Sequence, residues 1–452
     1  MKTKAFLKLF IFGLLSTIVT IGCSNGKNGA TGATGATGSQ GITGPTGPTV
    51  TWVMPVQGAT GIYTDTVIKV GFSKPISSST INASTFLVST GGINVTGTVS
   101  YNAGSQTAFF SPNLPLSAFG AYTATLTTGI KDTAGNQLTT YTWTFVAGGS
   151  SAPATLYVAD PSPDAIRVFN NANSANGNLI PDRVISSGSF SWPWHIWFDK
   201  GADRLYIADY SPNIFVLNNV STLNGTVTPS RTISGALFSE TGGIWVDTAN
   251  DVLYIGEYSA GAIEVFNNAS TINGSVTPDR IIWGGNTGLS APENIWLDQT
   301  RDELYVAEAS TEAILVFTSA STANGNVAPS RTITSSDFTS ATGLWLDKTN
   351  DRLYVGNYGG DSVLIFNNAS TLDGSVMPDR VIAGPSTTFN APYGLWLDVS
   401  NDRLYVADFS HLSVDVFNGA SSINGDVAPS RVIAGSNTGF VKPESLWLDL
   451  NP

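Results

Sequence analysis

The chain has 452 residues, more than one ordinary domain uses, so we expect two or three folded units. Only 12% of the residues are charged while 10% are aromatic and glycine is abundant, which favours short strands joined by turns and argues against a helical protein. The net charge of −12 argues against nucleic acid as a partner, because an acidic surface repels a phosphate backbone.

Residues 1–22 have the three-part layout of an export signal. Three lysines precede an apolar stretch that ends at Gly22, and Cys23, the only cysteine of the chain, follows it. The run Thr20-Ile21-Gly22-Cys23 resembles a lipobox, which implies cleavage before Cys23 and acylation of that residue. We therefore expect an exported lipoprotein held by its lipid in the bacterial cell envelope, at the outer membrane or the cell surface. The alternative is a plain signal peptide with an incidental cysteine.

Residues 23–49 begin with the lipidated cysteine and continue, from residue 26, as eight consecutive Gly-X-Y triplets. Strict spacing of glycine is the pattern of a triple helix, whose axis has room for no other residue. The stretch resembles the threonine-rich collagen-like segments of bacterial surface proteins, which implies a trimer. We favour an extended single-chain stalk, because eight triplets are few and only Pro45 and Pro48 stiffen them.

Residues 50–147 show alternating strands with a turn signal about every ten residues, the pattern of a β-sandwich. Residues 71–76, 110–112, 131–136 and 141–145 resemble landmarks of the SbsA-type bacterial Ig-like domain. This resemblance implies an Ig-like spacer domain. A linker, residues 148–153, follows it.

Residues 154–452 repeat a unit of about fifty residues. The sequence Leu-Tyr-Val-Ala-Asp at 156–160 has relatives at spacings of 49, 48, 51, 49 and 51 residues. Each unit contains four short apolar runs, and four strands in fifty residues make a propeller blade. The first unit lacks a tryptophan-bearing strand, whereas the chain ends in a surplus one at residues 446–449. We predict that this strand completes the first blade, which gives six blades and removes two exposed edges.

The repeated unit is similar to NHL repeats, which have a Gly-Ile strand, a Tyr-Val-Ala-Asp strand and an Ile-x-Val-Phe strand. All six units show this pattern, so the resemblance spans about 300 residues and implies a six-bladed β-propeller. The units depart from it by placing tryptophan in the first strand and by a longer third connection.

Three residue types recur at one position of every unit, which a binding site rarely requires. We predict that the tryptophans pack between blades, that the arginines bind nearby aspartates or backbone carbonyls, and that the aspartates cap the turn after the first strand. A sugar-binding ring of tryptophans is the alternative. The residues are Trp197, Trp245, Trp296, Trp345, Trp396 and Trp447; Arg183, Arg231, Arg280, Arg331, Arg380 and Arg431; and Asp199, Asp247, Asp298, Asp347, Asp398 and Asp449.

Connections that differ between units converge on one face of a propeller, and aromatic side chains beside carboxylates suit a recognition surface. For the acids that follow the second strands, such as Asp209 and Glu257, a turn-closing role is the alternative. The candidate ligand-binding residues are Trp194, His195, Tyr210, Tyr258, Glu293, Asn294, Tyr358, Tyr393, Phe409 and Glu444.

A metal site at the mouth of the central channel is the other possibility at this face. Calcium-dependent lactonase and gluconolactonase-type propellers place oxygen ligands just before the inner strands. Three of the six matching positions here are glycines, so we expect no metal and no cofactor, with Ca²⁺ as the alternative. The weak metal candidates are Glu293, Asn294 and Glu444.

The sequence contains few groups suited to catalysis. His195 and His411 are its only histidines, and no Gly-x-Ser-x-Gly elbow is present. We expect an envelope binding or adhesion protein rather than an enzyme, with a protein, peptide or glycan as its ligand. A metal-dependent lactonase or hydrolase and a structural surface-layer component are the alternatives.

Overall fold

The computed structural model describes residues 46–148, 154–235 and 238–450. The expected export signal, the lipidated Cys23, most of the stalk and most of the linker lie outside these ranges. Helical structure within them is limited to three short 3₁₀ turns, Ser78–Thr80, Lys200–Ala202 and Tyr358–Gly360. The rest of the regular structure is strand, in an Ig-like β-sandwich followed by a six-bladed β-propeller, so the predicted all-β fold class is confirmed.

The Ig-like domain consists of two packed sheets. One has the order β1-β3-β7-β6 and the other β2-β9-β8-β4-β5. Alternate side chains point between the sheets, where Phe86, Phe110 and Trp143 fill the core. The strands are β1 (Val50–Met54), β2 (Ala59–Ile62), β3 (Ile68–Phe72), β4 (Phe86–Thr90), β5 (Ile93–Asn94), β6 (Gly97–Asn102), β7 (Thr107–Pro112), β8 (Ala121–Leu126) and β9 (Tyr141–Ala147).

The last Gly-X-Y triplet packs on this domain. The backbone N–H of Thr49 donates to the Ser73 hydroxyl at 2.9 Å, and a Cβ at Gly47 would collide with the carbonyl oxygen of Gln137. Pro48 is buried. The folded domain therefore begins before Val50, and its first residues come from the segment expected to be stalk.

Six four-stranded blades follow, and two-residue or three-residue strands extend several of them. The first blade contains β10 (Ala154–Asp160), β11 (Ala165–Asn170) and β12 (Arg183–Ser186) and is extended by β16 (Gly225–Thr226); the second contains β13 (Pro193–Asp199), β14 (Arg204–Asp209), β15 (Asn213–Asn218) and β17 (Arg231–Gly235) and is extended by β21 (Gly274–Val276); the third contains β18 (Thr241–Asp247), β19 (Val252–Glu257), β20 (Ala262–Asn267) and β22 (Arg280–Trp283). The fourth contains β23 (Pro292–Asp298), β24 (Glu303–Glu308), β25 (Ala313–Thr318) and β26 (Arg331–Thr334) and is extended by β30 (Gly374–Ser375); the fifth contains β27 (Ala341–Asp347), β28 (Arg352–Asn357), β29 (Ser362–Asn367) and β31 (Arg380–Ile382); the sixth contains β32 (Pro392–Asp398), β33 (Arg403–Asp408), β34 (Ser413–Asn418) and β35 (Arg431–Ala434).

The ring is closed by β36 (Leu446–Leu450), which pairs antiparallel with β10. Trp447 lies opposite Tyr157, the same cross-strand pair that Trp197 and Tyr206 form in the second blade. The C-terminal strand is thus the inner strand of the first blade, and the predicted closure with six blades is confirmed.

Continuous apolar runs in the strands arise because each blade is covered on both faces. In β28, Leu353 and Val355 pack toward the fourth blade, whereas Tyr354 between them packs toward the sixth. Successive side chains of a strand point to opposite faces, so both sets are buried only when blades stack on either side.

The recurrent arginines join neighbouring blades. Each donates from Nη1 to two backbone carbonyls in the third connection of the next blade, as Arg183 does to Val220 at 2.6 Å and Leu223 at 2.9 Å. In five blades the guanidinium also lies 5.4–5.9 Å from the ring centre of the tyrosine in its own second strand. Arg431 makes the same contacts to the first blade across the closure. The predicted carbonyl partners are confirmed.

In the second to sixth blades the aspartate that ends the first strand caps the following turn, as predicted; Asp347 Oδ1, for example, accepts from the N–H groups of Thr349 and Asn350, both at 3.1 Å. Asp449, at the end of β36, instead forms an ion pair with Lys200 at 3.0 Å.

The Asn-Gly pair in the third connection has the sequence of a hairpin turn but connects two blades. Asn224 accepts from the N–H of Val184 in the preceding blade, and β16 adds to that blade as a parallel strand. Gly225 is required there because its φ is +78°.

The propeller has two unlike faces. The upper face is formed by the connections that follow each second strand and those that precede each first strand; the lower face carries the other two sets. The Ig-like domain contacts the lower face at the sixth blade. Ser100 Oγ donates to Asp402 Oδ2 at 2.5 Å, and Arg403 Nη2 donates to the carbonyl of Asp65. These contacts leave the upper face uncovered by the Ig-like domain.

Candidate functional site

One position in each first strand is directed to the upper face by an irregularity in strand pairing. In the second to sixth blades the register between first and second strands shifts at or beside the third residue before the tryptophan. A bulge of this kind re-aims a side chain. The side chains at this position line one cavity in five blades, and the third blade has glycine there; they are Trp194, Glu293, Thr342, Tyr393 and Glu444.

In the second to sixth blades, the residue after the second strand also lines the cavity. The side chain that ends the strand holds the neighbouring connection in place: Asp209 Oδ2 accepts from the N–H of Ser191 at 3.0 Å and Oδ1 from that of Ser211 at 2.9 Å. Glu257, Glu308, Asn357 and Asp408 accept equivalent backbone bonds. These groups thus have the turn-closing role given above as the alternative, and the residues they position are Tyr210, Tyr258, Ala309, Tyr358 and Phe409.

The resulting cavity has a volume of about 420 Å³, within the range of roughly 300–1,000 Å³ usual for ligand pockets. Trp194 packs against Tyr210 and Tyr258 with ring centres 5.4 and 5.5 Å apart, and Tyr358 packs against Tyr393 and Phe409 at 5.9 and 5.8 Å. A hydrogen bond of 2.6 Å from Trp194 Nε1 to the Tyr393 hydroxyl joins the two groups. The cavity is therefore walled mainly by aromatic rings.

Eight of the ten candidate residues surround this cavity: Trp194, Tyr210, Tyr258, Glu293, Tyr358, Tyr393, Phe409 and Glu444. Four residues that are not among the ten candidates also line it: Trp192, Ala309, Ser340 and Thr342. Ala309 and Thr342 occupy the same repeat positions as Tyr210 and Glu293, so an alignment of the repeats by position would have identified both.

Two buried carboxyl groups face the cavity. Burial, together with a smaller effect of the nearby Glu308, raises the pKa of Glu293 to about 8. Burial also raises the pKa of Glu444 well above its usual value, while a hydrogen bond from Trp192 Nε1 at 3.3 Å opposes the rise. Among the described residues neither carboxyl forms an ion pair, and Glu444 Oε2 has no hydrogen-bond partner. The cavity therefore contains acidic groups without a bound countercharge.

A lysine lies at the rim of the same cavity. The ammonium of Lys442 is 4.3 Å from the ring centre of Trp192 and 5.4 Å from that of Phe409. Such distances allow cation–π attraction. The aromatic rim thus already holds one ammonium group from the chain itself.

His195 and Asn294 do not line the cavity. They stand two residues before the tryptophans, so their side chains lie on the tryptophan side of the strand and project into the central channel below. Burial lowers the pKa of His195 to about 3, and neither ring nitrogen has a partner. The expectation that these two residues belong to the ligand-binding surface finds no support in their placement.

The six tryptophans form a closed ring around this channel, with neighbouring ring centres 4.3–6.4 Å apart. They contact one another around the axis as well as the cores between blades. The space left is about 50 Å³, far below the roughly 300 Å³ at the small end of ligand pockets. This geometry favours a packing role over a sugar-binding ring.

Residues 44–147 match the family model of a bacterial Ig-like domain. Domains of this family are typically found in surface or extracellular proteins, which is consistent with export. No curated protein matches the chain in sequence.

Solved propeller structures are similar in shape but distant in sequence. A chain of a nidogen/laminin complex is 17% identical, with 66% of this chain and 98% of that chain covered and a TM-score of 0.45. A putative 6-phosphogluconolactonase from Bacteroides uniformis is 13% identical, with 59% and 79% covered and a TM-score of 0.44. Because these likenesses are weak, the propeller assignment rests on the strand pairing described above.

The structure separates the three weak metal candidates, since Glu293 and Glu444 face the cavity and Asn294 faces the channel. Within the described ranges, one group of carboxylates and histidine is close enough to share an ion, namely Asp408, His411 and Asp415. The neighbouring Ser413 hydroxyl contacts two of its members, because Oγ lies 3.2 Å from His411 Nδ1 and donates to Asp415 Oδ2 at 3.1 Å. This group is not among the sequence-predicted candidates.

In the described part of the chain, no helix is long and apolar enough to span a membrane.

Proposed function

We propose that this protein is a lipid-anchored binding protein of the bacterial cell envelope, and that its propeller recognises a ligand in the upper-face cavity. Anchoring would use Cys23, and the NHL-like propeller would act in recognition or adhesion without catalysis. The ligand would be a protein, a peptide or a glycan that presents a group small enough for the cavity.

One observation carries this proposal: a single position of the repeat bears unlike side chains that line one cavity together. The third residue before the tryptophan is Trp, Gly, Glu, Thr, Tyr and Glu in successive first strands, whereas the tryptophan itself never changes. A rigid scaffold that presents varied aromatic and acidic groups in one concave site is suited to selective binding.

The position of the Ig-like domain supports the same proposal. Its contacts lie on the lower face, at Asp402, Arg403 and Asn418, so residues 46–148 do not block the cavity. A spacer on the far side would leave the upper face open to a ligand.

A metal-dependent hydrolase remains the alternative, and we propose binding alone because glycines occupy three of the six positions that would supply metal ligands. The two possibilities differ in their response to calcium. Addition of Ca²⁺ and then of a chelator during thermal unfolding would leave Tm unchanged for a binding protein. A calcium-dependent rise in Tm that Glu293→Gln and Glu444→Gln abolish would favour the hydrolase.

The binding function is tested by screening the purified protein against arrays of glycans, peptides and small organic ions. Tyr358→Ala removes one cavity wall, and Trp283→Ala removes an aromatic side chain that is 58% exposed and lies outside the cavity. We expect Tyr358→Ala to weaken any ligand at least tenfold and Trp283→Ala to leave it unchanged. Loss in both variants, in neither, or no ligand at all would contradict the proposal.

A further inference from the structure

We propose that the upper-face cavity binds a small organic cation, an ammonium group that carries alkyl chains. This inference deepens the binding function proposed above and rests on it. The combination that carries it is an aromatic enclosure with two buried carboxyl groups and no cation paired to either.

The aromatic walls provide the surface that such a cation requires. The faces of Trp and Tyr rings attract an ammonium within about 6 Å of the ring centre, and the attraction grows when water is excluded. Trp194, Tyr210 and Tyr258 form one group of rings and Tyr358, Tyr393 and Phe409 the other, contributed by the second, third, fifth and sixth blades. A ligand in the cavity therefore meets ring surfaces from several directions.

The carboxyl groups provide the opposite charge. Glu293 is 4% exposed and Glu444 3% exposed, and both line the cavity. Buried polar groups in folded proteins are normally paired, yet Glu444 Oε2 has no hydrogen-bond partner among the described residues. The nearby Glu293 also raises the pKa of Glu444, as a like charge does. A cation between them would remove this repulsion and supply the missing partner.

Lys442 is an internal precedent for this recognition. Its ammonium already lies against Trp192 and Phe409, at the edge of the same cavity, and its charge lowers the pKa of Glu444. It forms no ion pair with Glu293 or Glu444 within the described residues. The rim therefore holds a cation on its aromatic faces, and that cation forms no ion pair with either interior carboxyl.

A neutral sugar would use the ring faces but would leave both carboxyls without a countercharge. The distinguishing probes are therefore choline and 3,3-dimethylbutan-1-ol, which have the same shape and differ in the replacement of nitrogen by carbon. N-acetyl-lysine amide, whose only ammonium is on the side chain, tests whether a primary ammonium from a peptide is accepted as well as an alkylated one.

Affinities are measured by titration calorimetry on the purified protein and three variants of unchanged side-chain shape. Glu293→Gln and Glu444→Gln remove charge from the cavity, whereas Glu312→Gln removes it from an exposed site on the same face that does not line the cavity. We expect choline to bind at least tenfold more tightly than its neutral analogue. We expect each cavity variant to weaken choline about tenfold, to leave the neutral analogue unchanged and to unfold at a similar temperature, and Glu312→Gln to behave as the parent.

Equal affinity for choline and the neutral analogue, or choline affinity unaffected by both cavity variants, would overturn the cation inference. A glycan or neutral peptide that binds in a Tyr358-dependent manner would, together with that result, leave the binding function standing. Failure of every probe and of the array would overturn both.

Discussion

The tryptophan ring and the cavity lie on the same inner strands, only three residues apart, yet they are built in opposite ways. The ring position has one residue type in all six blades, and its side chains pack against one another. The cavity position has five residue types and leaves a space of about 420 Å³. The invariant position therefore holds the blades together, while the varied position that faces the cavity supplies side chains available for recognition.

A large loss of unfolding free energy is expected at the closure of the ring, where the residues serve folding alone. Leu448 of β36 is 1% exposed and packs between the first and sixth blades. Leu448→Ala should lower the free energy of unfolding by about 2–5 kcal/mol, because it removes apolar contacts and leaves a cavity. Val441→Ala, at a side chain 44% exposed just before this strand, should change it by less than about 0.5 kcal/mol. Equal effects in urea unfolding would show that β36 does not close the ring.

A smaller effect is expected at the arginine contacts between blades. Arg431→Ala would leave the buried carbonyls of Ala172 and Ala175 without their donor, at a cost of about 1–3 kcal/mol. Ligand binding should be unaffected, because Arg431 lies away from the cavity. An Arg431→Ala protein that unfolds like the parent but no longer binds ligand would contradict the assignment of Arg431 to folding.

Glu264 is a polar residue at a core position away from the ligand cavity, and it tests how much such a residue lowers the free energy of unfolding. The third blade has Glu264 where the fourth and fifth have Leu315 and Leu364, and neither of its carboxyl oxygens has a partner. Burial raises its pKa to about 7, so the folded protein keeps a proton that the unfolded chain loses near pH 4.5. Stability due to this group therefore falls as pH rises from about 4.5 to 7.

Glu264→Leu should accordingly raise the free energy of unfolding by about 2 kcal/mol at pH 8 and by less at pH 5. The measurement is urea unfolding of parent and variant at both values. A gain that is the same at pH 5 and pH 8, or a loss at pH 8, would contradict this assignment.

Much of the fold could be predicted from the sequence because repetition repeats every signal six times. The surplus strand at 446–449 required a partner, and the open edge of β10 was the available one. The role of the Asn-Gly pairs could not be predicted, because Asn224 and Gly225 carry a hairpin signal locally, whereas their partner, Val184, belongs to another blade. Local turn chemistry does not reveal such a contact.

The residues that line the cavity could be predicted only in part. Its aromatic and acidic residues stand out by type, so Tyr258, Tyr393 and Glu444 could be selected. Strand alternation from Trp296 could have placed Asn294 on the channel side, whereas the direction of Glu293 into the cavity could not be predicted, because it depends on the bulge in β23. The group formed by Asp408, His411 and Asp415 was missed because it joins two strands and the connection between them.

Ligand affinity and unfolding free energy, measured together for Tyr258→Ala and Trp296→Ala, test whether the cavity serves binding and the tryptophan ring serves stability. Tyr258 lines the cavity, and Trp296 belongs to the ring. We predict that Tyr258→Ala loses at least tenfold in affinity with a change in unfolding free energy below about 1 kcal/mol, while Trp296→Ala loses about 3–5 kcal/mol of stability. Full binding by Tyr258→Ala, or a stable Trp296→Ala protein that has lost its ligand, would contradict the claim.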